Sequence, residues 1–244
     1  MKKGKVYIGT SGWYYKHWKD SFYPMDIRND EQLLFYIQLF STVEINNTFY
    51  RMPNSNTIKL WEDSTPPEFI FAVKGNRYLT HNKKLKDCNA PLKSFMTNVS
   101  SFDKKLGPIL FQLPPKWNVN AERLLEFVKL LPGKQRFAFE FRNSSWYEEE
   151  IYSILREHNC AFCIYHLMHH LSPLVVTANF VYIRLHGPEG KYAGRYSIQS
   201  LKEWAANIRH WSEDDKDVYI YFDNDQHGYA PINANELFEL VQID

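Results

Sequence analysis

The sequence predicts a single α/β domain, a (β/α)8 TIM barrel that spans residues 1–244. Eight short apolar segments have the composition of buried β-strands, and amphipathic helical patterns lie between them. The predicted strands recur on average every ~30 residues, which is the length of one βα unit. A chain of 244 residues, 44% of them hydrophobic, is long enough for one barrel with one large core.

The fifth predicted strand shows the pattern most clearly. In the segment RFAFEFR, three phenylalanines alternate with Ala138, Glu140 and Arg142. In a barrel, the phenylalanines would face the helix layer, and the alternate residues would face the lumen and lead to the catalytic rim. In chain order, the eight strands are predicted at residues 6–10, 42–46, 69–74, 109–113, 136–141, 161–166, 180–186 and 218–223.

Helical patterns follow most of these strands, with capping residues at their starts and Gly or basic residues at their ends. Asp30 is the expected cap of the first helix, and Pro132 with Gly133 ends another. The segment MHHLSPLVVTA is short and contains proline, so it predicts a degenerate sixth helix. The remaining helices are predicted within residues 30–40, 91–107, 120–133, 144–159, 197–211 and 233–242.

Charge and composition exclude several classes of protein. The net charge of +1 argues against an extended surface for nucleic acid or membrane, so any anion site would be local. The lysines near the start are not followed by an apolar region, so the sequence predicts neither a signal peptide nor a membrane span, and three cysteines predict a location in the reduced cytoplasm. Cys160 and Cys163 form a C-x-x-C inside an apolar strand without a second pair, which predicts core cysteines and not a zinc site.

Polar residues recur near the carboxyl ends of seven predicted strands, which is the end of the barrel where TIM-barrel enzymes have their active sites. The alternative is a structural plug of charges that pair with one another, although buried ion pairs are often neutral for stability. The residues that form this predicted constellation are Glu44, Asn46, Lys74, Gln112, Glu140, Arg142, His166, Arg184, His186, Tyr221 and Asp223.

Two loops add positive charge to the same end. The loop HGPEGKYAGRY follows the seventh strand, and its glycines with Lys191 and Arg195 suit a phosphate group. The alternative interpretation of this loop is a flexible exposed turn without a ligand. The sequence contains no motif for a nucleotide cofactor. After the third strand, Lys74, Arg77 and His81 are also placed to hold an anion.

Aromatic residues crowd the first two loops. Trp13, Tyr14 and Tyr50 would either stack on a ligand or fasten the loops to the barrel. Trp18 and Phe22 are interpreted as packing residues of the first loop.

Several segments resemble the signature blocks of the YecE-like domain-of-unknown-function family, number 72 in that series. They include GTSGWYYKHW, VEINNTFYRMP, FAVKGNRYLTH, FAFEFRNSSW and YIRLHGPEGKYAGRYS, and the resemblance covers residues 9–237. It implies a TIM barrel but no accepted reaction. Asp223 and Asp225 depart from the Asn-rich turn usual in the family, which would add metal affinity. The resemblance marks Glu44, Asn46, Lys74, Arg77, His81, Gln112, Glu140, Arg142, Arg184 and His186.

The first functional hypothesis is an enzyme, of the hydrolase, isomerase or lyase type, that acts on a phosphate-bearing or other anionic carbohydrate or nucleotide-like substrate. Glu140 would act as general base or general acid with Glu44 as its partner, and His186 would move a proton. The expected substrate-binding residues are Asn46, Lys74, Arg77, His81, Gln112, Arg142, Arg184, Lys191, Tyr50 and Trp13.

Two alternatives remain open at the level of sequence. A metal-dependent phosphodiester hydrolase would hold a divalent metal, although the nearby cations oppose this. A non-catalytic protein would bind a small anion or short single-stranded nucleic acid in a salt-dependent manner. Substrate, reaction and oligomeric state do not follow from the sequence. The metal ligands of the first alternative would be Glu44, Glu140, His186 and Asp223.

Overall fold

Eight parallel strands form a nearly closed barrel in the structure, a computed structural model that describes residues 3–242. All eight predicted strands are present, which confirms the predicted fold class. The fourth begins three residues earlier than predicted, at Leu106. The strands are β1 Val6–Thr10, β2 Thr42–Ile45, β3 Ile70–Lys74, β4 Leu106–Gln112, β5 Phe137–Glu140, β6 Cys160–Leu167, β7 Phe180–Leu185 and β8 Asp217–Phe222.

The two faces of each strand belong to different cores, as the alternation in β5 predicts. Phe137 and Phe139 pack in the layer between strands and helices, whereas Ala138 packs inside the lumen. Three tyrosines give the lumen polar groups as well as bulk. The buried lumen residues are Ala72, Leu110, Ala138, Ala161, Cys163, Phe180, Tyr182, Tyr219 and Tyr221.

Seven α-helices surround the barrel in residues 3–242, and one of them was not predicted. The unpredicted helix α2 begins after Asn54, whose side chain accepts a hydrogen bond from the Thr57 N–H at 2.8 Å. The fourth helix ends earlier than predicted and the last begins earlier, at Tyr229. The helices are α1 Gln32–Tyr36, α2 Ser55–Asp63, α3 Asn89–Val99, α4 Ala121–Val128, α5 Glu149–Glu157, α6 Ile198–Glu213 and α7 Tyr229–Gln242.

The position of the predicted degenerate sixth helix contains no helical turn in the described residues. The chain instead forms a two-residue strand, His170–Leu171, which pairs antiparallel with β6. Two side chains secure this segment against β6. Ser172 Oγ accepts from the Tyr165 N–H at 2.9 Å, and Thr177 Oγ1 accepts from the Phe162 N–H at 2.7 Å. The segment therefore covers β6 in place of a helix.

Arg136 closes the amino end of the barrel. Its guanidinium donates to the Asp217 carboxylate and to the Tyr219 hydroxyl, both at 2.7 Å, and lies 5.3 Å from the centre of the Phe180 ring. Because this end is filled, a small molecule would approach the lumen from the carboxyl end of the strands.

The barrel wall has one seam, between β1 and β2, where the described residues form no ladder. The phenol of Tyr36 bridges it. Its oxygen accepts a hydrogen bond from the Thr10 N–H and donates one to the Thr42 carbonyl, both at 3.0 Å. Burial raises the pKa of Tyr36, so the hydroxyl keeps its proton and remains a donor. One side chain thus replaces the missing backbone pairing.

We expect Gly9→Ala to destabilise the protein by about 1–3 kcal/mol, the usual cost of overpacking a filled core. A Cβ at Gly9 would lie 2.3 Å from the Thr42 carbonyl oxygen and 3.0 Å from the Tyr36 hydroxyl. The strands would have to separate at the seam, and the Tyr36 bridge would lengthen. Chemical denaturation at neutral pH measures the change.

Gly133→Ala is the matched control, because a Cβ at Gly133 meets no atom within 4 Å. This variant should be neutral or slightly stabilised, since alanine restricts the unfolded chain. Equal stability of the two variants would show that the seam tolerates a wider spacing than the structure has.

Candidate active site

Arg184, on β7, lies at the centre of the carboxyl end of the barrel and is only 1% exposed. Its guanidinium lies between two fully buried carboxylates. Nη2 and Nε donate to Glu44 Oε1 at 2.7 and 3.1 Å, and Nη1 donates to Glu140 Oε2 at 2.8 Å. Arg184 therefore joins the ends of β2 and β5 across the lumen.

The Glu44 carboxylate receives two further hydrogen bonds. Ser11, just after β1, donates through Oγ to Oε1 at 2.6 Å, and the Tyr182 hydroxyl donates to Oε2 at 2.7 Å. Both oxygens of this buried carboxylate are thus satisfied, as a buried charge requires. These hydrogen bonds hold the Glu44 side chain in one position beneath the rim.

Glu140 is held between two arginines. Besides Arg184, the Arg142 Nε donates to Glu140 Oε1. Burial alone would raise the pKa of Glu140, but the two guanidinium groups lower it by a larger amount, so the net pKa lies well below its usual value. Glu140 is therefore an anion at neutral pH.

His186 connects Asp223 to Arg142. Its Nδ1 lies 2.8 Å from Asp223 Oδ2, and its Nε2 lies 2.7 Å from Arg142 Nη2. A carboxylate accepts and a guanidinium donates, so these neighbours assign the proton to Nδ1 and a lone pair to Nε2. The His186 imidazole is thus oriented by a carboxylate, the arrangement found in proton-transfer sites. We call Glu44, Glu140, Arg142, Arg184, His186 and Asp223 the rim network.

Lys74, the last residue of β3, lies beside the rim network but is not part of it. Its Nζ lies 4.7 Å from the centre of the Phe49 ring and, within residues 3–242, makes no hydrogen bond or ion pair. Burial and the positive charge of Arg184 lower its pKa to about 8, although the rim carboxylates oppose this. Lys74 is a half-buried cation that loses its proton near neutral pH.

The other predicted site residues divide into two groups. Asn46 Oδ1 lies 3.4 Å from Arg184 Nη2, and Gln112 is paired in register with Glu140. Away from the network, Tyr50 is 72% exposed and Lys191 is exposed over the Tyr192 ring, 5.2 Å from its centre. Within residues 3–242, neither side chain makes a hydrogen bond or an ion pair with the rim network.

In the loop after β3, His81 is a packing residue beside the rim network, and the charged Arg77 points to solvent. His81 packs edge-on against the Phe49 ring, with 5.0 Å between ring centres, on the ring that Lys74 also faces. Burial, followed by the charges of Lys74 and Arg77, lowers the pKa of His81. Arg77 is exposed.

His166 does not face the lumen with the other residues of the predicted constellation. His166 is paired in register with Leu185, which belongs to the outer core, and its Nδ1 lies 3.0 Å from the Tyr196 hydroxyl. Tyr165 takes the rim position instead, and its ring lies 4.6 Å from the Arg142 guanidinium.

Sequence reasoning missed three residues of the site: Ser11, Tyr165 and Tyr182. Tyr182 could have been found, because it lies two residues before Arg184 on the same strand and therefore on the same face. Ser11 directly follows a predicted strand, which is a position where barrel enzymes place functional side chains. Tyr165 lies in a continuous apolar run that shows no alternation.

A cavity of about 730 Å³ adjoins the network between the first two loops and α2. Its lining includes Ser11 and Asn46, which contact Glu44 and Arg184 of the network, and its wall is largely aromatic and aliphatic. Trp13 and Trp61 meet edge to face there, with 5.0 Å between ring centres. Further lining residues are Gly12, Tyr14, Tyr15, Asn29, Asp30, Leu33, Leu34, Ile45, Asn47, Leu60 and Ser64.

The rim carboxylates are not arranged as a metal site. In the part of the chain that the structure describes, no three His, Cys, Asp or Glu side chains are grouped to hold a metal ion. Two of the four ligands named in the metal hypothesis, Glu44 and Glu140, have the Arg184 guanidinium between them. Cys160 and Cys163 are free, buried thiols in β6, as predicted for core cysteines.

A family model described as "Protein of unknown function DUF72" matches residues 7–244. The chain belongs to this family. The resemblance predicted from the sequence motifs is thereby confirmed. UPF0759 protein YunF of Bacillus subtilis is 26% identical over 98% of this chain and 95% of its own length. UPF0759 protein YecE of Escherichia coli K12 is 27% identical over 59% of this chain and 52% of its own length.

Solved structures of DUF72 proteins have the same fold. One from Thermotoga maritima is 29% identical, with a TM-score of 0.89 over 98% of this chain and 99% of that one. One from Enterococcus faecalis is 17% identical, with a TM-score of 0.84 over 98% and 96% of the two chains. In residues 3–242, none of the helices has the length and apolar character needed to cross a membrane.

Proposed function

We propose that the rim network and Lys74 form the active site of an enzyme that acts on a small, phosphate-bearing or otherwise anionic substrate. The observation that carries the proposal is the unpaired ammonium of Lys74. Arg184 and Arg142 form ion pairs with the carboxylates of the rim. The positive and negative charges of these residues therefore balance without a ligand. The carboxylates are Glu44, Glu140 and Asp223. Lys74 has no such partner among the described residues.

This pattern argues against a purely structural plug. Buried ion pairs give little net stability, because the cost of desolvation offsets the Coulomb attraction. A plug would also pair every charge, since an unpaired buried cation costs free energy. The rim instead contains a cation, the Lys74 ammonium, that faces an aromatic ring and, among the described residues, is paired with no carboxylate. A substrate anion would supply the missing ion-pair partner.

The neighbouring cavity gives the substrate room. Its volume of about 730 Å³ lies within the range of small-molecule sites, and its wall combines aromatic rings with a few polar groups. An anionic group at Lys74 would leave the rest of the molecule near Asn46 and Ser11. The ring of a sugar or base would then lie against Trp13 or its neighbours.

His186 supplies the proton transfer in this proposal. Its Nε2 lone pair is occupied by Arg142 at 2.7 Å. A substrate anion would attract the Arg142 guanidinium and leave Nε2 free to accept a proton, while Asp223 holds the opposite nitrogen. Glu140 remains an anion that stabilises positive charge on the imidazole.

We expect at least one member of a panel of sugar phosphates and nucleotides to raise the melting temperature, because a ligand that binds only the folded state stabilises it. Lys74→Met should weaken the binding of that compound at least about tenfold, the loss of one charge-assisted contact. Calorimetric titration at two salt concentrations measures the affinity.

Lys83→Met is the matched control, because the Lys83 ammonium also lies near an aromatic ring, 5.8 Å from the centre of Tyr78, but on the loop after β3. Its affinity should equal that of the wild type. If no compound on the panel stabilises the protein, the anion-site proposal fails.

A further inference from the structure

We infer that Lys74 is a nucleophilic amine that forms an imine with an aldehyde or ketone carrying an anionic group. This inference rests on the proposed active site and names its substrate class. The geometry points to it because the amine lies at the carboxyl end of a barrel strand, on the lumen side, without a hydrogen-bond partner among residues 3–242.

The surroundings of Lys74 disfavour its protonated form. Lys74 is the last residue of β3 and is paired in register with Leu110, a residue of the lumen core. The Phe49 ring covers one side of the amine, and Arg184 adds repulsion from β7. Enzymes activate lysine as a nucleophile in this way, because desolvation and a neighbouring cation favour the neutral amine.

Opposing charges come from other elements of the rim. Glu44 on β2, Glu140 on β5 and Asp223 after β8 raise the pKa of Lys74, but burial outweighs them and the net value is about 8. About a tenth of the amine is then neutral at pH 7, against fewer than about one in a thousand for an ordinary lysine. The reactive form is present without any further activation.

The step requires no oxidant and releases one water. The nitrogen lone pair attacks the carbonyl carbon, and one proton moves from nitrogen to the carbonyl oxygen to give a carbinolamine. The carbon–oxygen bond then breaks, a second proton moves from nitrogen to the departing hydroxyl, and water leaves. Protonation of the resulting imine gives a cation, which the carboxylates of Glu44 and Glu140 would stabilise.

The experiment traps the imine by reduction. The protein is incubated with pyruvate, a ketone with a carboxylate, or with glycolaldehyde phosphate, an aldehyde with a phosphate, in the presence of sodium cyanoborohydride. Intact mass and peptide mapping locate the adduct. We expect one adduct per chain at Lys74, formed faster as pH rises from 6 to 8, and at least tenfold faster than at Lys83.

Lys74→Arg separates the inference from the proposed function, because arginine keeps the positive charge but is not a nucleophile. It should lose the adduct and still bind the phosphate compounds, whereas Lys83→Arg should keep the adduct at position 74. Circular dichroism and thermal melting establish that both variants are folded.

Two outcomes overturn the inference. An adduct spread equally over exposed lysines shows ordinary surface chemistry, and the absence of an adduct at Lys74 shows that the amine does not react. If phosphate compounds still bind in either case, the proposed function stands. If acetone labels Lys74 as fast as pyruvate and no phosphate compound binds, the amine chemistry stands and the anion site fails.

Discussion

Replacing Arg184 with methionine is expected to lower the free energy of unfolding by about 3–5 kcal/mol at pH 7, as found for broken buried ion pairs. Methionine fills much of the same volume, so the loss is mainly electrostatic. Glu44 and Glu140 are both fully buried and would face each other without the cation that now separates them. Chemical denaturation of the wild type and variant measures the difference.

Two controls distinguish the cost of leaving buried carboxylates without a cation from the cost of losing any ion pair. Arg195→Met removes a pair between Arg195 and Glu236, where the arginine is half exposed, and should cost no more than about 1 kcal/mol. The triple variant Arg184→Met, Glu44→Gln, Glu140→Gln removes the uncompensated anions and should recover part of the loss. Equal losses in Arg184→Met and Arg195→Met would mean that the buried carboxylates find other partners.

The barrel could be predicted from the sequence because its strands are short, apolar and regularly spaced. In β5 the alternation of phenylalanine with Ala138 and Glu140 fixes the face of each residue, and the structure agrees. Helix α2 was missed because its apolar positions are few and its start follows a proline. Its main sequence signal was Asn54, a capping residue.

The rim shows where sequence reasoning ends. Lys74 and Arg184 look equivalent in the sequence, since each is a cation near the end of a strand. In three dimensions Arg184 is enclosed by carboxylates, whereas Lys74 faces an aromatic ring. Pairing between distant strands decides this difference, and no local pattern encodes it.

The sequence also could not predict which residues of β6 face the lumen and which face the helix layer. The run NCAFCIYHL is apolar on both faces, because the strand is buried by the lumen on one side and by the outer layer on the other. Without alternation, His166 and Tyr165 are equally good candidates for the rim. The β6–β7 register, with Tyr165 opposite Arg184, settles the choice.

Acid is expected to destabilise the protein, because the folded state disfavours protonation of two carboxylates of the rim network. The folded state lowers the pKa of Glu140 and of Asp223, in spite of their burial, because Arg142, Arg184 and His186 favour the charged forms. Each unit by which a pKa is lowered contributes about 1.4 kcal/mol. That contribution is complete above the unfolded pKa values of 4.5 and 3.8 and is lost as pH falls towards the lower folded values.

The variant Glu140→Gln isolates one carboxylate in this titration. It should be less stable than the wild type at pH 7, since it leaves Arg142 and Arg184 short of a counter-charge. Below pH ~4.5 the difference should narrow, because the wild-type carboxylate then loses its advantage over the unfolded chain. Denaturation curves at pH 7, 5, 4 and 3 measure the gap. A constant gap would mean that Glu140 binds its proton equally well in the folded and unfolded protein, which its position between two guanidinium groups argues against.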